Sequence, residues 1–294
     1  MKIALWAENL ACPVASVQAW ADMAEAQVKA ASDAGAEVIL FPEYSAAHWL
    51  HFVPRTLKGP AQLAQLADFS AEAIERMASL AVQYGLLVIS GTFPVKHSGL
   101  NPPLVNRAHA FFPDGRLAAQ DKLCLTPFEK DPRDWNLSPG TALNVFEWQG
   151  YRMAVVICLD IELPALSARL ATLDLDLILV PSMTAKLAGY HRVFSCARAR
   201  AVELLAAVAA VGCIAGAPEC EQEISGASFF LPAEEKFGHT GVLAELSPSY
   251  TAEGAGPLLV RELPLDDIRA MRRGGKGEVW PGAWTADHVV VKQG

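Results

Sequence analysis

The sequence has few charged residues, no excess of positive charge and no closely spaced cysteine pairs. Only 19% of its 294 residues are charged while 52% are hydrophobic, which excludes an intrinsically disordered chain. The net charge of −8 argues against a general binder of nucleic acid or of anionic membranes, because both need a basic surface. We therefore expect a small-molecule partner.

The six cysteines show neither a CxxC pair nor another metal-binding spacing, so we expect free thiols and no metal or cofactor. The most apolar stretch, 204–218, is shorter than the roughly 20 residues of a membrane helix. The first 13 residues lack the pattern of a signal peptide, since the polar Glu8 and Asn9 interrupt their short apolar run. These features predict a cytoplasmic protein without a membrane segment.

Strand and helix patterns alternate along the chain. Short apolar runs at 2–8, 37–41 and 86–93 alternate with helical spacing over 14–34 and 62–84, and Asp114-Gly115 marks a hairpin. The second half repeats this order, with strands at 151–157, 174–182 and 207–216 and helices at 163–172 and 193–205. The repeated order predicts an α/β protein in which two similar sheets pack together, with further strands after Ser225 and a short helix from Asp266.

Four chemically useful side chains follow predicted strands, where ligands of open α/β sheets are usually bound: Glu43, Lys122, Cys158 and Ser182. A thiolate is a good nucleophile, but an isolated cysteine is more often a small buried residue, and the other five cysteines keep that interpretation. For Glu43 two interpretations stay open: a partly desolvated carboxylate with a raised pKa that suits proton transfer, or an ordinary acid exposed to solvent. Lys122 either stabilises an oxyanion or is simply solvated.

Taken together, three segments resemble the signature motifs of the nitrilase, or carbon-nitrogen hydrolase, superfamily. They are "FPE" with Glu43, "DKLCLTPFE" with Lys122, and "VICLDIELP" with Cys158, in the family's order. The resemblance implies a four-layer α-β-β-α sandwich that forms a homodimer or higher homo-oligomer through its helices. It also implies a hydrolase domain over 1–265, with 266–294 as a C-terminal helix and arm in the same domain or at a subunit interface.

The resemblance also implies a mechanism in which Glu43 is the base, Cys158 the nucleophile, and Lys122 with the backbone amide of Leu159 the oxyanion donors. Glu129 matches a second glutamate that orients the lysine, although it follows Lys122 by seven residues where several amidases of the family have eight. The mechanism needs no metal, and His48 and His51 lack a third ligand.

The substrate implied is a small amide, because Leu159 and Asp160 replace the tryptophan and glutamate that follow the cysteine in true nitrilases. Residues expected to contact it are Leu159, Tyr44, Trp49, Met183 and Tyr190. Nitrile hydrolysis and acyl transfer on the same fold stay open, as does a non-catalytic binding protein. A Cys-His hydrolase of another fold is disfavoured because no histidine motif accompanies Cys158.

Overall fold

Two six-stranded mixed sheets lie at the centre of the computed structural model, which describes residues 1–216, 223–274, 277–278 and 286–292. The first sheet contains β1 (Lys2–Trp6), β2 (Val38–Leu40), β3 (Leu87–Lys96), β4 (Leu104–Phe111), β5 (Leu117–Asp121) and β12 (Leu258–Glu262). The second contains β6 (Val145–Trp148), β7 (Tyr151–Val155), β8 (Leu177–Ser182), β9 (Ala207–Gly212), β10 (Ser225–Phe230) and β11 (Val242–Ser249).

The two sheets have closely related topologies. Their strand orders are β12-β1-β2-β3-β4-β5 and β11-β10-β9-β8-β7-β6. In the first, β1, β2 and β3 run parallel, and in the second, β7, β8 and β9 do so, while the outer pairs are antiparallel. The prediction of two similar packed sheets is confirmed.

Alternating side chains of the strands fill two apolar layers. Ile3 and Leu5 of β1 face the second sheet, whereas Ala4 and Trp6 point toward the helices that cover the first sheet. The described helices are α1 (Val17–Asp33), α2 (Gly59–Tyr84), α3 (Pro127–Lys130), α4 (Pro164–Leu170), α5 (Leu187–Leu204) and α6 (Leu265–Gly274). With α1 and α2 outside one sheet and α5 outside the other, the layers follow the α-β-β-α order that the sequence predicts.

The boundaries differ from the sequence prediction at particular places. Helix α5 begins at Leu187, six residues before the predicted start, and the edge strand β6 was not predicted. The helix expected after Cys158 is preceded by a 3-10 turn, Cys158–Glu162. No helix within the described part of the chain is long and apolar enough to cross a membrane.

Helix α6 is held against the second sheet by charge. Arg269 and Arg272 both donate to the buried carboxylate of Asp176, with N–O distances of 2.5 to 2.9 Å. Ile268 is fully buried in the apolar layer of the same sheet. The helix predicted from Asp266 therefore packs on the main body, and much of the arm predicted beyond it lies outside the described residues.

Candidate active site

Strand ends from both sheets meet at one place between them. Glu43 follows β2 and Lys122 follows β5 of the first sheet, while Cys158 follows β7 and Met183 follows β8 of the second. The side chains of Glu43, Lys122 and Cys158 are all buried. Four segments that are distant in sequence thus form one cluster.

The ammonium group of Lys122 joins two buried carboxylates. Its Nζ lies 2.7 Å from Glu43 Oε1 and 2.9 and 2.8 Å from the two carboxylate oxygens of Glu129. The amide of Asn106 donates to the same oxygens, at 2.9 Å to Glu43 and 3.3 Å to Glu129. The ammonium group of Lys122 has three N–H groups, which match its three contacts with the oxygens of Glu43 and Glu129. The charge of the lysine is therefore fully paired.

A capping box fixes Glu129 at the start of α3. Thr126 Oγ1 accepts from the backbone N–H of Glu129 at 3.3 Å, and Glu129 Oε2 accepts from the backbone N–H of Thr126 at 2.8 Å. The phenol of Tyr44 donates to Glu129 Oε1 at 2.6 Å. The sequence "TPFE" therefore sets the position of the carboxylate through local helix chemistry.

Cys158 opens the 3-10 turn with a left-handed backbone, at φ of 48°. This conformation costs a non-glycine residue on the order of 1–3 kcal/mol, and such strain is concentrated at functional sites. Its thiol donates to the backbone oxygen of Met183 at 3.6 Å. The turn therefore places the sulfur against the backbone of Met183, whose N–H donates to Glu43 Oε2 at 3.1 Å.

The surroundings separate the two glutamates electrostatically. Burial raises the pKa of Glu43 to about 7, against the lowering effect of the Lys122 ammonium and with the Glu129 charge adding to the rise. Burial also acts to raise the pKa of Glu129, but the Lys122 charge and the hydrogen bonds from Lys122, Tyr44 and Thr126 outweigh it, so that pKa lies below its usual value. One carboxylate can take up a proton near neutral pH and the other stays ionised.

The thiol of Cys158 is protonated in this setting. Burial, and next the charge of Glu43, raise its pKa well above the ordinary value, and the Lys122 ammonium offsets only part of this. A buried thiol of this kind becomes nucleophilic only as a base removes its proton. The Glu43 carboxylate acts on this thiol through its charge, and both groups meet the backbone of Met183.

Sequence reasoning missed Asp160, which links the nucleophile turn to the lysine segment. Its buried carboxylate accepts from the backbone N–H groups of Leu123 at 3.1 Å and Cys124 at 2.6 Å. Burial raises the pKa of Asp160 to about 6, although these two hydrogen bonds favour its charged form. A signal was available in the sequence, because an acid two residues beyond Cys158 lies too close to the buried strand to be an ordinary surface residue.

Two other supporting residues were also missed. Asn106 lies in β4, and its backbone oxygen accepts from the backbone N–H of Lys122 at 2.9 Å. This position follows from the pairing of β4 with β5, in which Arg107 lies opposite Asp121. Cys213, read from the sequence as purely structural, donates its thiol to the backbone oxygen of Glu43 at 3.3 Å. The backbone N–H of Met183 donates to Glu43 Oε2 at 3.1 Å.

The predicted substrate-contacting residues fall into two groups. Tyr44 and Met183 line a cavity of about 500 Å³ beside the cluster, and Leu159 is half-buried next to Cys158.

Trp49 instead lies in the core, packed against Trp20, Phe69 and Phe93. Tyr190 stacks on Phe194 at 4.1 Å on the outer side of the second sheet. Trp49 and Tyr190 therefore pack in the apolar layers and do not line this cavity.

The two histidines of the turn Ser45–His51 bind protein groups. His48 Nδ1 lies 2.7 Å from the buried Glu8 carboxylate, and its Nε2 lies 2.9 Å from the backbone oxygen of Asn9. His51 Nε2 lies 2.8 Å from the backbone oxygen of Leu10. Within residues 1–216, 223–274 and the short described C-terminal pieces, no group of three potential metal ligands comes together.

Comparison with known proteins identifies the family. The sequence model described as carbon-nitrogen hydrolase matches residues 11–273. The chain belongs to the carbon-nitrogen hydrolase family. Its segments around Glu43, Lys122 and Cys158 thus lie within a family match that covers most of the chain, as the motifs suggested.

Individual relatives are hydrolases and amidases. The probable hydrolase YhcX of Bacillus subtilis is 28% identical over 264 residues, which cover 88% of this chain and 49% of that protein. The chain therefore spans about half the length of that relative. An (R)-stereoselective amidase from a Pseudomonas species is 30% identical over 217 residues, covering 73% of this chain and 71% of the amidase.

Solved amidase structures share the fold. An amidase from Nesterenkonia superposes with a TM-score of 0.69 at 23% identity, covering 94% of this chain and 98% of that one. Forms of that amidase show acrylamide added to its active-site cysteine and a complex with butyramide. At this level of identity the likeness shows that the chain shares the fold of that amidase.

Proposed function

We propose that this carbon-nitrogen hydrolase cleaves a small, non-peptide amide through a thioester on Cys158. The observation that carries the proposal is the buried cluster in which Glu43 contacts the Lys122 ammonium and shares the Met183 backbone with the Cys158 thiol. The pKa of Glu43, raised to about 7, suits a residue that accepts and returns a proton at neutral pH. The amidases among its relatives support an amide in preference to a nitrile.

In the first half of the reaction, Glu43 takes the thiol proton as the sulfur attacks the amide carbon. The electron pair of the C=O π bond moves to the oxygen, which Lys122 and the backbone N–H of Leu159 stabilise. Collapse of this tetrahedral intermediate breaks the C–N bond, and the leaving nitrogen takes the proton from Glu43. The products of this half are ammonia or an amine and a Cys158 thioester.

In the second half, Glu43 accepts a proton from water as the water oxygen attacks the thioester carbon. Collapse breaks the C–S bond, and the departing sulfur recovers the proton from Glu43, so that the enzyme is restored. The net reaction consumes one amide and one water and yields a carboxylic acid and ammonia or an amine.

The contacts of Lys122 suggest how oxyanion stabilisation is timed. In the resting site all three of its N–H groups point to carboxylates. When Glu43 takes the thiol proton it loses its charge, so its attraction for the ammonium falls. One N–H of Lys122 then becomes available to the oxyanion as negative charge forms on that atom. Glu129, whose pKa lies below its usual value, keeps its charge and holds the lysine in place.

The first test is the mass of the intact protein after incubation with short amides, dicarboxylic acid monoamides, carbamoylated amines and nitriles, followed by an acid quench. We expect an acyl increment on the wild type and none on Cys158→Ala. Turnover falls more than about a thousandfold in Cys158→Ala and at least about a hundredfold in Glu43→Ala and Lys122→Ala. Circular dichroism checks that each variant is folded.

Cys196→Ala is the matched control, because Cys196 is a half-buried cysteine on α5 outside the cluster. It should acquire the same increment as the wild type. Substantial turnover by Cys158→Ala would contradict the assignment of the nucleophile. Turnover of nitriles alone, or transfer of the acyl group to an added amine in place of water, would replace amide hydrolysis with one of those reactions.

A further inference from the structure

The cavity next to the cluster adjoins the catalytic residues through two residues of its wall. Tyr44 and Met183 line it, and these residues also contact Glu129, Glu43 and Cys158. Its volume of about 500 Å³ falls within the range of small-molecule sites. A molecule bound in this cavity therefore lies beside residues that contact Glu43, Glu129 and Cys158.

The charges that line the cavity are opposite in sign to the charge of the whole protein. The chain carries a net charge of −8, yet the cavity is lined by the cationic side chains of Arg55, Lys58 and Arg133 and by one carboxylate, Asp134. Arg133 is already paired with a neighbouring acid, Asp131, at 2.6 Å. Arg55 and Lys58 form no ion pair with any residue in the described part of the chain.

The two segments that carry these cations are in backbone contact. Gly59, at the start of α2 and one residue after Lys58, has φ of +53°, and a Cβ placed on it would lie 2.5 Å from the backbone oxygen of Arg133. Only glycine permits this approach. The contact joins the segment before α2 to the segment after α3, so the cations belong to one packed wall.

We propose that the substrate is an amide that carries a carboxylate at the end away from the bond that is cleaved, and that Arg55 and Lys58 bind this carboxylate. The inference rests on the proposed function, since it names the substrate class of the same site. Two unpaired cations at the edge of a cavity in an acidic protein attract an anion and orient it, while the aromatic wall formed by Tyr44 and Trp135 contacts the chain between its two ends.

Turnover of two amides of equal chain length tests the inference. Glutaramate ends in a carboxylate where valeramide ends in a methyl group. We expect the wild type to favour glutaramate in kcat/KM by about tenfold or more, as two charge-assisted contacts would give. In the double variant Arg55→Gln/Lys58→Gln this preference should fall toward one, chiefly through a higher KM for glutaramate. Arg76→Gln, an exposed cation of α2 outside the cavity, should keep the wild-type preference.

Binding separates failure of this inference from failure of the proposed function. Calorimetric titration of glutaramate and valeramide into Cys158→Ala measures recognition without chemistry. Tighter binding of glutaramate that is lost in Arg55→Gln/Lys58→Gln/Cys158→Ala supports the carboxylate site even if the wild type releases no ammonia. Equal affinity for both amides, or a preference for glutaramate that survives loss of both cations, would overturn it while leaving amide hydrolysis intact.

Discussion

Glu43 and Glu129 contact the same ammonium group, yet their pKa values shift in opposite directions. The difference arises from their other neighbours, because Glu129 gains hydrogen bonds from Tyr44 and from the backbone of Thr126. Glu43 shares the donors Lys122 and Asn106 with Glu129 and gains one backbone N–H, from Met183. Two glutamates that look alike in the sequence therefore have separate tasks, one in proton transfer and one in holding Lys122.

The first prediction concerns pH. Because Glu43 must be ionised to accept the thiol proton, kcat/KM should rise through about pH 7 and should fall about tenfold for each pH unit below it. Initial rates between pH 5 and 9 on a neutral amide measure this limb. A flat profile across this range would contradict the role of Glu43 as the base.

Stability should change with pH in the opposite sense. The folded-state pKa of Glu43 is raised, so its contribution to the free energy of unfolding is fully present below the unfolded pKa of 4.5 and is lost as the pH rises through about 7. In Glu43→Gln the titrating carboxyl group is replaced by an amide. Its free energy of unfolding, measured with urea, should therefore depend less on pH between about 4.5 and 7. Equal pH dependence in both proteins would show that other groups, such as Asp160, dominate.

At the residue scale, the sequence predicted the cluster of Glu43, Lys122, Cys158 and Glu129 but little of its support. Asp160 and Cys213 act on backbone groups of other segments, and such contacts depend on how the two sheets dock. Trp49 and Tyr190, which were predicted to contact the substrate, do not line the cavity beside the cluster. A large ring near a strand end fits a core as well as it fits a pocket.

At the element scale, a glycine in β3 makes room for the segment that carries Glu43. Gly91 has φ of +68°, and a Cβ there would lie 1.9 Å from the backbone oxygen of Pro42. The pairing of β3 with β4 shifts register at the same point. The close approach of β3 to Pro42 therefore depends on the absence of a side chain.

Gly91→Ala should lower both stability and activity, and Gly85→Ala is its matched control. Both glycines have φ of +68°, so each alanine costs about 1–2 kcal/mol for a left-handed backbone. Gly85 has no atom within 4 Å of the added Cβ, whereas Gly91→Ala adds a clash worth about 1–3 kcal/mol more. Urea unfolding and kcat/KM measure both effects. Equal losses in the two variants would show that the contact with Pro42 is unimportant.

The sequence predicted most elements because apolar periodicity is strong in buried parallel strands and in the helices that cover them. It missed β6, a half-exposed edge strand whose side chains show no clear alternation of burial. It placed the start of α5 too late because Leu187 to Arg192 contain mostly exposed side chains, so the apolar pattern begins at Val193. Boundaries fixed by capping or by edge pairing carry little apolar signal.

At the scale of the whole molecule, the assembly of subunits is still a prediction from the family resemblance. We expect a homodimer or a higher oligomer, with a mass in solution at least twice the 31.5 kDa of one chain. Light scattering coupled to size exclusion, over a range of protein concentrations, measures it. A mass of one chain at every concentration would show that the helical faces stay exposed to solvent.

The cluster draws Glu43 and Lys122 from one sheet and Cys158 and Met183 from the other. Neither sheet alone contains a base, a nucleophile and an oxyanion donor together. Contacts between residues so far apart in sequence form late in folding, because closing long loops is costly in entropy. During refolding, catalytic competence should therefore appear only when the two sheets have docked, and a chain with one completed sheet would have secondary structure without turnover.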